Sequence, residues 1–214
     1  MSNQISLRDV EKKIYQSTFQ DGLIEISLAA FLLMFALAPL LSEDLGDFWS
    51  SFIFLPLWAV VALAVRFIRT RVILPRTGSV RFGQYRKNRL LGFSRVMLGF
   101  NLAALILGIS TFFGFEGLAE WVIPSRFAAL LLLGFSLAAA FLQQPRFYLY
   151  GVMVAAAPLI GEYLYRNYSA VHHGYPLSFG TSAFILFAVG LYMLLRLIFS
   201  HPVDPSPLPE TEER

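Results

Sequence analysis

Two residues of opposite charge stand inside apolar stretches of this 214-residue chain. Glu25 lies near the start of the first stretch and Arg95 near the start of the third. At about 1.5 Å of rise per helical residue, their Cα atoms differ in depth by only about 3 Å. Ionisable groups in such stretches usually pair or line a polar route. Three roles are therefore open: a structural Glu25–Arg95 ion pair, an Arg95 that reaches lipid phosphate alone, or a transport or proton-relay pathway.

Two further polar residues belong to the same regions. Asp21 precedes Glu25 by four positions, so both side chains fall on one face of a helix. Asn101 stands in the middle of the third apolar stretch. A single amide at such a place commonly makes an interhelical hydrogen bond, with a substrate contact as the alternative. Glu25, Arg95 and Asn101 are the candidate intramembrane polar site.

Catalytic and metal chemistry find little support. His172 and His173 are adjacent in one loop, but zinc normally takes three or four ligands. The chain has no cysteine, which excludes disulfides and thiolate metal sites. The sequence places neither a nucleophile with a base nor a cluster of acids and histidines at a common depth in the membrane. The sequence predicts a protein that is not an enzyme and carries no metal or other cofactor.

The elements that position these residues are long apolar segments. Apolar residues make up 57% of the chain and charged residues 14%, against about 25% charged residues in soluble domains. A bilayer core of about 30 Å needs about 20 apolar helical residues. The sequence predicts an all-α integral membrane protein with six transmembrane helices, at 22–41, 48–65, 90–113, 126–142, 146–165 and 178–199.

The distribution of cations predicts the orientation of these spans. Eight cations and no acid lie between Arg66 and Arg89, while acids such as Glu43 and Glu116 fall in the loops at the opposite ends. Because Lys and Arg concentrate in cytoplasmic loops, both termini are predicted to face the cytoplasm. The sequence therefore predicts a multi-pass protein located in the cell membrane.

The predicted organisation has three parts. Residues 1–21 form a cytoplasmic amphipathic segment, residues 22–200 the six-helix domain with its basic loop at 66–89, and residues 201–214 a disordered cytoplasmic tail. The basic loop is expected to contain a small β-hairpin between helices 2 and 3, since Val72-Ile73-Leu74 and Val80-Arg81-Phe82 are β-prone and flank a turn with Pro75 and Gly78.

The segment Leu-Pro-Arg-Thr-Gly-Ser-Val-Arg-Phe at 74–82 resembles a loop of uncharacterised prokaryotic polytopic membrane proteins. The resemblance covers this loop and the general layout of spans. It implies a similar membrane fold and brings no activity with it.

The cations of the basic loop have three possible roles: they fix topology, bind anionic lipid headgroups, or dock an acidic protein partner. Each Lys or Arg near an anionic surface contributes about 1 kcal/mol. No nucleic-acid-reading module is present, so nucleic acid is not an expected partner. The candidate headgroup- or partner-binding residues are Arg69, Arg71, Arg76, Arg81, Arg86, Lys87 and Arg89.

Two functional hypotheses follow. The first is a non-catalytic accessory or regulatory membrane component that presents its basic hairpin to anionic lipid or to a membrane or cytoplasmic partner. The second is a small-solute or ion permease whose route is lined by Glu25, Arg95 and Asn101. A homo-oligomer is compatible with this hypothesis. A permease requires a hydrated cavity that reaches these three side chains, whereas an accessory module is expected to be a dry bundle packed with Phe and Leu.

Overall fold

The computed structural model describes residues 19–77, 84–114 and 121–201, and every regular element in these ranges is helical. The long helices are α1 (Leu23–Phe52), α2 (Phe54–Ile68), α3 (Gln84–Gly114), α4 (Val122–Leu142), α5 (Arg146–Tyr168) and α6 (Tyr175–Ser200). Helix α2 continues into a π-helical turn, Arg69–Ile73, and an α-helical turn, Leu74–Thr77. A 3₁₀ turn, His172–Gly174, precedes α6. Of the terminal segments predicted at 1–21 and 201–214, residues 1–18 and 202–214 lie outside the described residues.

Five segments are long and apolar enough to cross a membrane, and together they make this a multi-pass membrane protein. They are Leu23–Gly46, Phe48–Arg76, Val122–Leu142, Arg146–Tyr168 and His172–Ser200. Large apolar side chains on their outer faces are highly exposed, Leu149 and Phe184 at 72% each. Water would penalise such faces, whereas hydrocarbon solvates them.

The third predicted span corresponds to helix α3. Among the described residues its apolar part is shorter, Leu91–Ile106, and does not reach the length of the other five. The helical prediction for this segment is confirmed, and its span remains a prediction.

The predicted β-hairpin between helices 2 and 3 is wrong for its first strand. Val72 and Ile73 belong to the π-helical turn and Leu74 to the helical turn after it. The N–H of Leu74 donates to the carbonyl of Arg69, five residues back. Proline has no N–H to donate, and the wider turn carries the helix past Pro75. The expected second strand, Val80-Arg81-Phe82, lies outside the described residues.

Helices α1, α4, α5 and α6 form the core of the described bundle. Helix α1 packs along α6, α4 along α5, and α5 against α6. The buried apolar cluster comes from α1, α5 and α6, with aromatic rings of α1 and α4 against it: Ala29, Leu32, Ala36, Val154, Ala157, Phe179, Ala183, Leu186, Phe35 and Phe127. Helix α2 packs on α1, and α3 packs mainly on α4. Both α2 and α3 are therefore outlying helices.

Glycines let the backbones of α1 and α6 meet at one end. A Cβ on Gly190 would lie 2.8 Å from the carbonyl oxygen of Gly22 and 2.9 Å from the Cβ of Glu25. Gly22 itself has φ +77°, a conformation that favours glycine, and precedes the first helical turn. Helix α5 has two pairs of small residues four positions apart, Gly151 with Ala155 and Ala157 with Gly161. All four residues are buried, and such pairs let neighbouring helices approach closely.

Contacts between helices define two ends of the bundle. Ile73 packs with Leu23 and Leu194, which brings the cations after α2 to the start of α1 and the last turns of α6. We call this the basic end. At the other end, His172 meets Glu43 of α1. We call this the acidic end.

Candidate functional site

The first turn of α1 carries a buried carboxylate at the basic end. Glu25 is 0% exposed. Its Oε1 lies 3.2 Å from Nη2 of Arg146, at the start of α5. The hydroxyl of Tyr150 donates to the same oxygen over 3.3 Å. Arg146 and Tyr150 are four residues apart on α5, so one helical face supplies both partners.

Arg146 links three parts of the chain at this point. Its Nη2 also donates to the carbonyl of Phe19, just before α1. Its Nη1 lies 3.2 Å from the sulfur of Met193 on α6. The guanidinium is 20% exposed, so it reaches the surface of the bundle from the buried carboxylate. Arg146 therefore connects the starts of α1 and α5 with the end of α6.

The ion pair is not saturated with hydrogen bonds. Within the described residues, neither Oε2 of Glu25 nor Nε of Arg146 has a hydrogen-bond partner. A buried charge that loses its partner costs several kcal/mol, so each group depends strongly on the other. The arrangement can fix how α1 and α5 pack, and it has no features of a nucleophile or an acid–base pair.

Asp21 is a second buried acid at the basic end. Its Oδ1 accepts the N–H of Leu23 over 3.1 Å, a side-chain cap on the start of α1. Burial raises the pKa of the Asp21 carboxyl above its ordinary value, and the nearby Arg69 and Arg146 only partly oppose this effect. Asp21 itself precedes the helix, since α1 begins at Leu23 and Gly22 has φ +77°, so the expectation that Asp21 and Glu25 share one face of a helix is wrong.

The ion-pair partner of Glu25 in the described residues is Arg146, so the Glu25–Arg95 pair, one of the three roles that the sequence left open, does not form. Arg95 and Asn101 are both exposed on α3, and α3 packs mainly against α4 rather than α1. Similar depth does not bring Arg95 to Glu25, because the described part of α3 packs mainly on α4. The three candidate polar residues therefore do not converge in the structure.

Sequence reasoning missed Arg146 as a site residue. One signal was present, since Arg146 starts the fifth span at the same side of the membrane as Glu25. The four-residue spacing from Arg146 to Tyr150 was a second signal.

The candidate basic residues extend from α2 to α3. Arg69 and Arg71 are exposed in the π-helical turn. Nη1 of Arg76 donates to the carbonyl of Val72 over 2.6 Å. Arg81 lies outside the described residues, and the backbone positions of the remaining candidates, Arg86, Lys87 and Arg89, fall in the first two turns of α3.

The adjacent histidines at the acidic end contact different carboxylates. Nε2 of His172 lies 3.3 Å from Glu43 on α1. Nδ1 of His173 lies 3.0 Å from Glu162 on α5, and Arg166 pairs with the same glutamate at 2.7 Å. The described residues include no group of three or more potential metal ligands among His, Asp and Glu. These contacts tie the start of α6 to α1 and α5.

No protein-family model matches the chain, and neither the curated proteins nor the solved structures include a significant match.

Proposed function

We propose that this chain is a non-catalytic accessory membrane component whose basic end binds anionic lipid headgroups on the cytoplasmic side. In this orientation both termini are cytoplasmic, as the distribution of Lys and Arg predicts. The observation that carries the proposal is the position of Arg69 and Arg71, exposed at the end of a candidate span with no acid nearby in sequence.

The length of the second span supports a position for these cations in the headgroup region. The segment Phe48–Arg76 has 29 residues, which at 1.5 Å each is about 43 Å. Hydrocarbon plus both headgroup regions measures about 40–45 Å. The end of this helix, with Arg76, then lies among the headgroups, and the long side chains of Arg69 and Arg71 can extend from the hydrocarbon boundary to reach them.

The alternative of a permease requires Glu25, Arg95 and Asn101 to line one route. Glu25 is enclosed by an ion pair, whereas the other two are exposed on a helix that packs elsewhere. The buried cluster between α1, α5 and α6 is apolar and rich in aromatic rings. These observations favour the dry accessory bundle over the permease.

The lipid preference can be measured by native mass spectrometry of the purified protein with equal amounts of phosphatidylglycerol and phosphatidylcholine. We expect preferential retention of phosphatidylglycerol. Replacing Arg69, Arg71 and Arg76 together by Gln should remove up to about 3 kcal/mol of this preference, roughly 100-fold. The matched variant with Lys at all three positions should retain it. Equal retention of both lipids by the wild-type protein would refute the proposal.

The orientation can be tested separately, because the natural chain has no cysteine. Single cysteines replace the exposed residues Asp44, at the acidic end, and Arg71, at the basic end. In intact cells a membrane-impermeant maleimide should label Asp44→Cys and leave Arg71→Cys unlabelled until the membrane is permeabilised. The opposite labelling pattern would place the basic end outside the cell.

A further inference from the structure

We infer that a groove between α1 and α2 binds a single anionic phospholipid, with its phosphate at Arg66 and Arg69 and an acyl chain along α2. This inference rests on the proposed function and adds a defined site to it. The groove has a volume of about 450 Å³, within the roughly 300–1,000 Å³ typical of ligand sites.

The walls of the groove follow from helical spacing. Trp58, Val61, Ala62 and Val65 recur at intervals of three and one along α2 and line the groove as one apolar stripe. Ser27 of α1 lines the facing side. The ring of Trp58 lies 5.8 Å from the ring of Phe31 on α1, which joins the two helices at this level. The stripe offers hydrocarbon contacts and few polar ones.

The same stripe continues into the two arginines. Arg66 and Arg69 follow Val65 on the groove-lining face, one helical turn apart. Both are exposed. Among the described residues, neither guanidinium forms a salt bridge, and the carboxyl of Asp21 is the acid that interacts electrostatically with Arg69. An anion placed between them therefore need not displace an existing salt bridge.

The dimensions select a lipid rather than a soluble anion. Arg69 follows Trp58 by eleven positions, which is about 16 Å along a helix. One leaflet of hydrocarbon is about 15 Å thick, half of the bilayer core. A phosphate at the arginines thus places the attached acyl chain beside the apolar stripe over its whole length. A free phosphate would use the arginines alone and leave the stripe without a function.

The test uses Trp58 as its own reporter. The chain has three tryptophans, so Trp49 and Trp121 are replaced by Phe. The protein is reconstituted in phosphatidylcholine vesicles that contain a small fraction of phosphatidylglycerol brominated on its acyl chains, or the same fraction of brominated phosphatidylcholine. Bromine quenches tryptophan on contact. We expect phosphatidylglycerol to occupy the groove with about 25-fold preference, from about 1 kcal/mol for each of two arginines.

Replacing Arg66 and Arg69 by Gln should make the two brominated lipids quench equally. The matched control, Arg196→Gln, removes an exposed cation from the last turns of α6 that does not line the groove, and it should keep most of the preference. Millimolar inorganic phosphate should leave the quenching unchanged. Loss of the preference in phosphate would assign the site to soluble anions and overturn the inference.

Two outcomes separate this inference from the proposed function. If mass spectrometry shows an anionic preference but both brominated lipids quench Trp58 equally, the groove is not the site and the broader proposal stands. If neither measurement shows a preference, both fail.

Discussion

Replacing Arg146 should reveal how strongly the core depends on its buried ion pair. In Arg146→Gln the carboxylate of Glu25, which is 0% exposed, keeps only Tyr150 as a side-chain partner. An uncompensated buried charge costs about 3–5 kcal/mol. Because Arg146 is 20% exposed, the pair stands at the edge of the bundle and the lower end of that range applies.

The converse substitution should cost less. In Glu25→Gln, Arg146 keeps the carbonyl of Phe19 and its access to the surface. We expect a loss of about 1.5 kcal/mol, that of one charged hydrogen bond. The double variant has no isolated charge and should lose about 2.5 kcal/mol, so that the two residues couple by about 2 kcal/mol.

The free energies can be measured by unfolding the purified protein in mixed micelles, followed by circular dichroism. The control cycle pairs Glu25→Gln with Arg95→Gln, which lies on α3 away from the ion pair. Those effects should add to within about 0.3–0.5 kcal/mol. Additive effects of Glu25 and Arg146, or coupling between Glu25 and Arg95, would refute the assignment of the pair.

Three further predictions concern single residues. Asp21→Asn keeps an oxygen that can cap α1 and removes a buried charge. Because burial raises the folded-state pKa of Asp21, the stability of the wild-type protein should rise as the pH falls through that pKa toward the ordinary value of 3.8. Thermal scans of the Asn variant over the same pH range should lack this rise. Gly190→Ala should lower the free energy of unfolding by about 1–3 kcal/mol, since its Cβ would press on the backbone of α1, whereas Gly99→Ala, with nothing within 4 Å, should be neutral or stabilising. Glu162→Gln should lower the melting temperature more than His173→Ala. The buried glutamate loses its charge toward both Arg166 and His173, whereas the 55% exposed histidine loses one ion pair and its ring contact with Tyr165. The reverse order would contradict the geometry.

Segments with strong and continuous apolar character were predictable from sequence. The span expected at 146–165 is helix Arg146–Tyr168, and that expected at 178–199 lies within Tyr175–Ser200. Both follow from hydropathy and length alone, because a backbone in hydrocarbon must satisfy its own hydrogen bonds. The boundaries differ by a few residues, since caps and polar end turns extend a helix beyond its apolar part.

The local geometry after α2 was not predictable in the same way. Val72 and Ile73 favour strands intrinsically, and Pro75 with Gly78 has turn chemistry. A helix already formed in the membrane offers the next residues an existing hydrogen-bonding pattern, and continuing it avoids a new nucleation step. The π-helical turn Arg69–Ile73 is the adjustment that lets this continuation pass a proline.

The ion pair of Glu25 shows which features of a site in the membrane can be predicted from sequence and which cannot. Hydropathy places a residue along the membrane normal, so it selects Arg95 and Arg146 equally well as cations at the level of Glu25. Lateral position decides between them, and it depends on which helices pack together. Here Gly22 and Gly190 bring α1 against α6, and α5 packs on α6, which together carry Arg146 to the carboxylate. The choice of ion pair thus depends on helix packing, to which Gly190, distant in sequence from both charges, contributes.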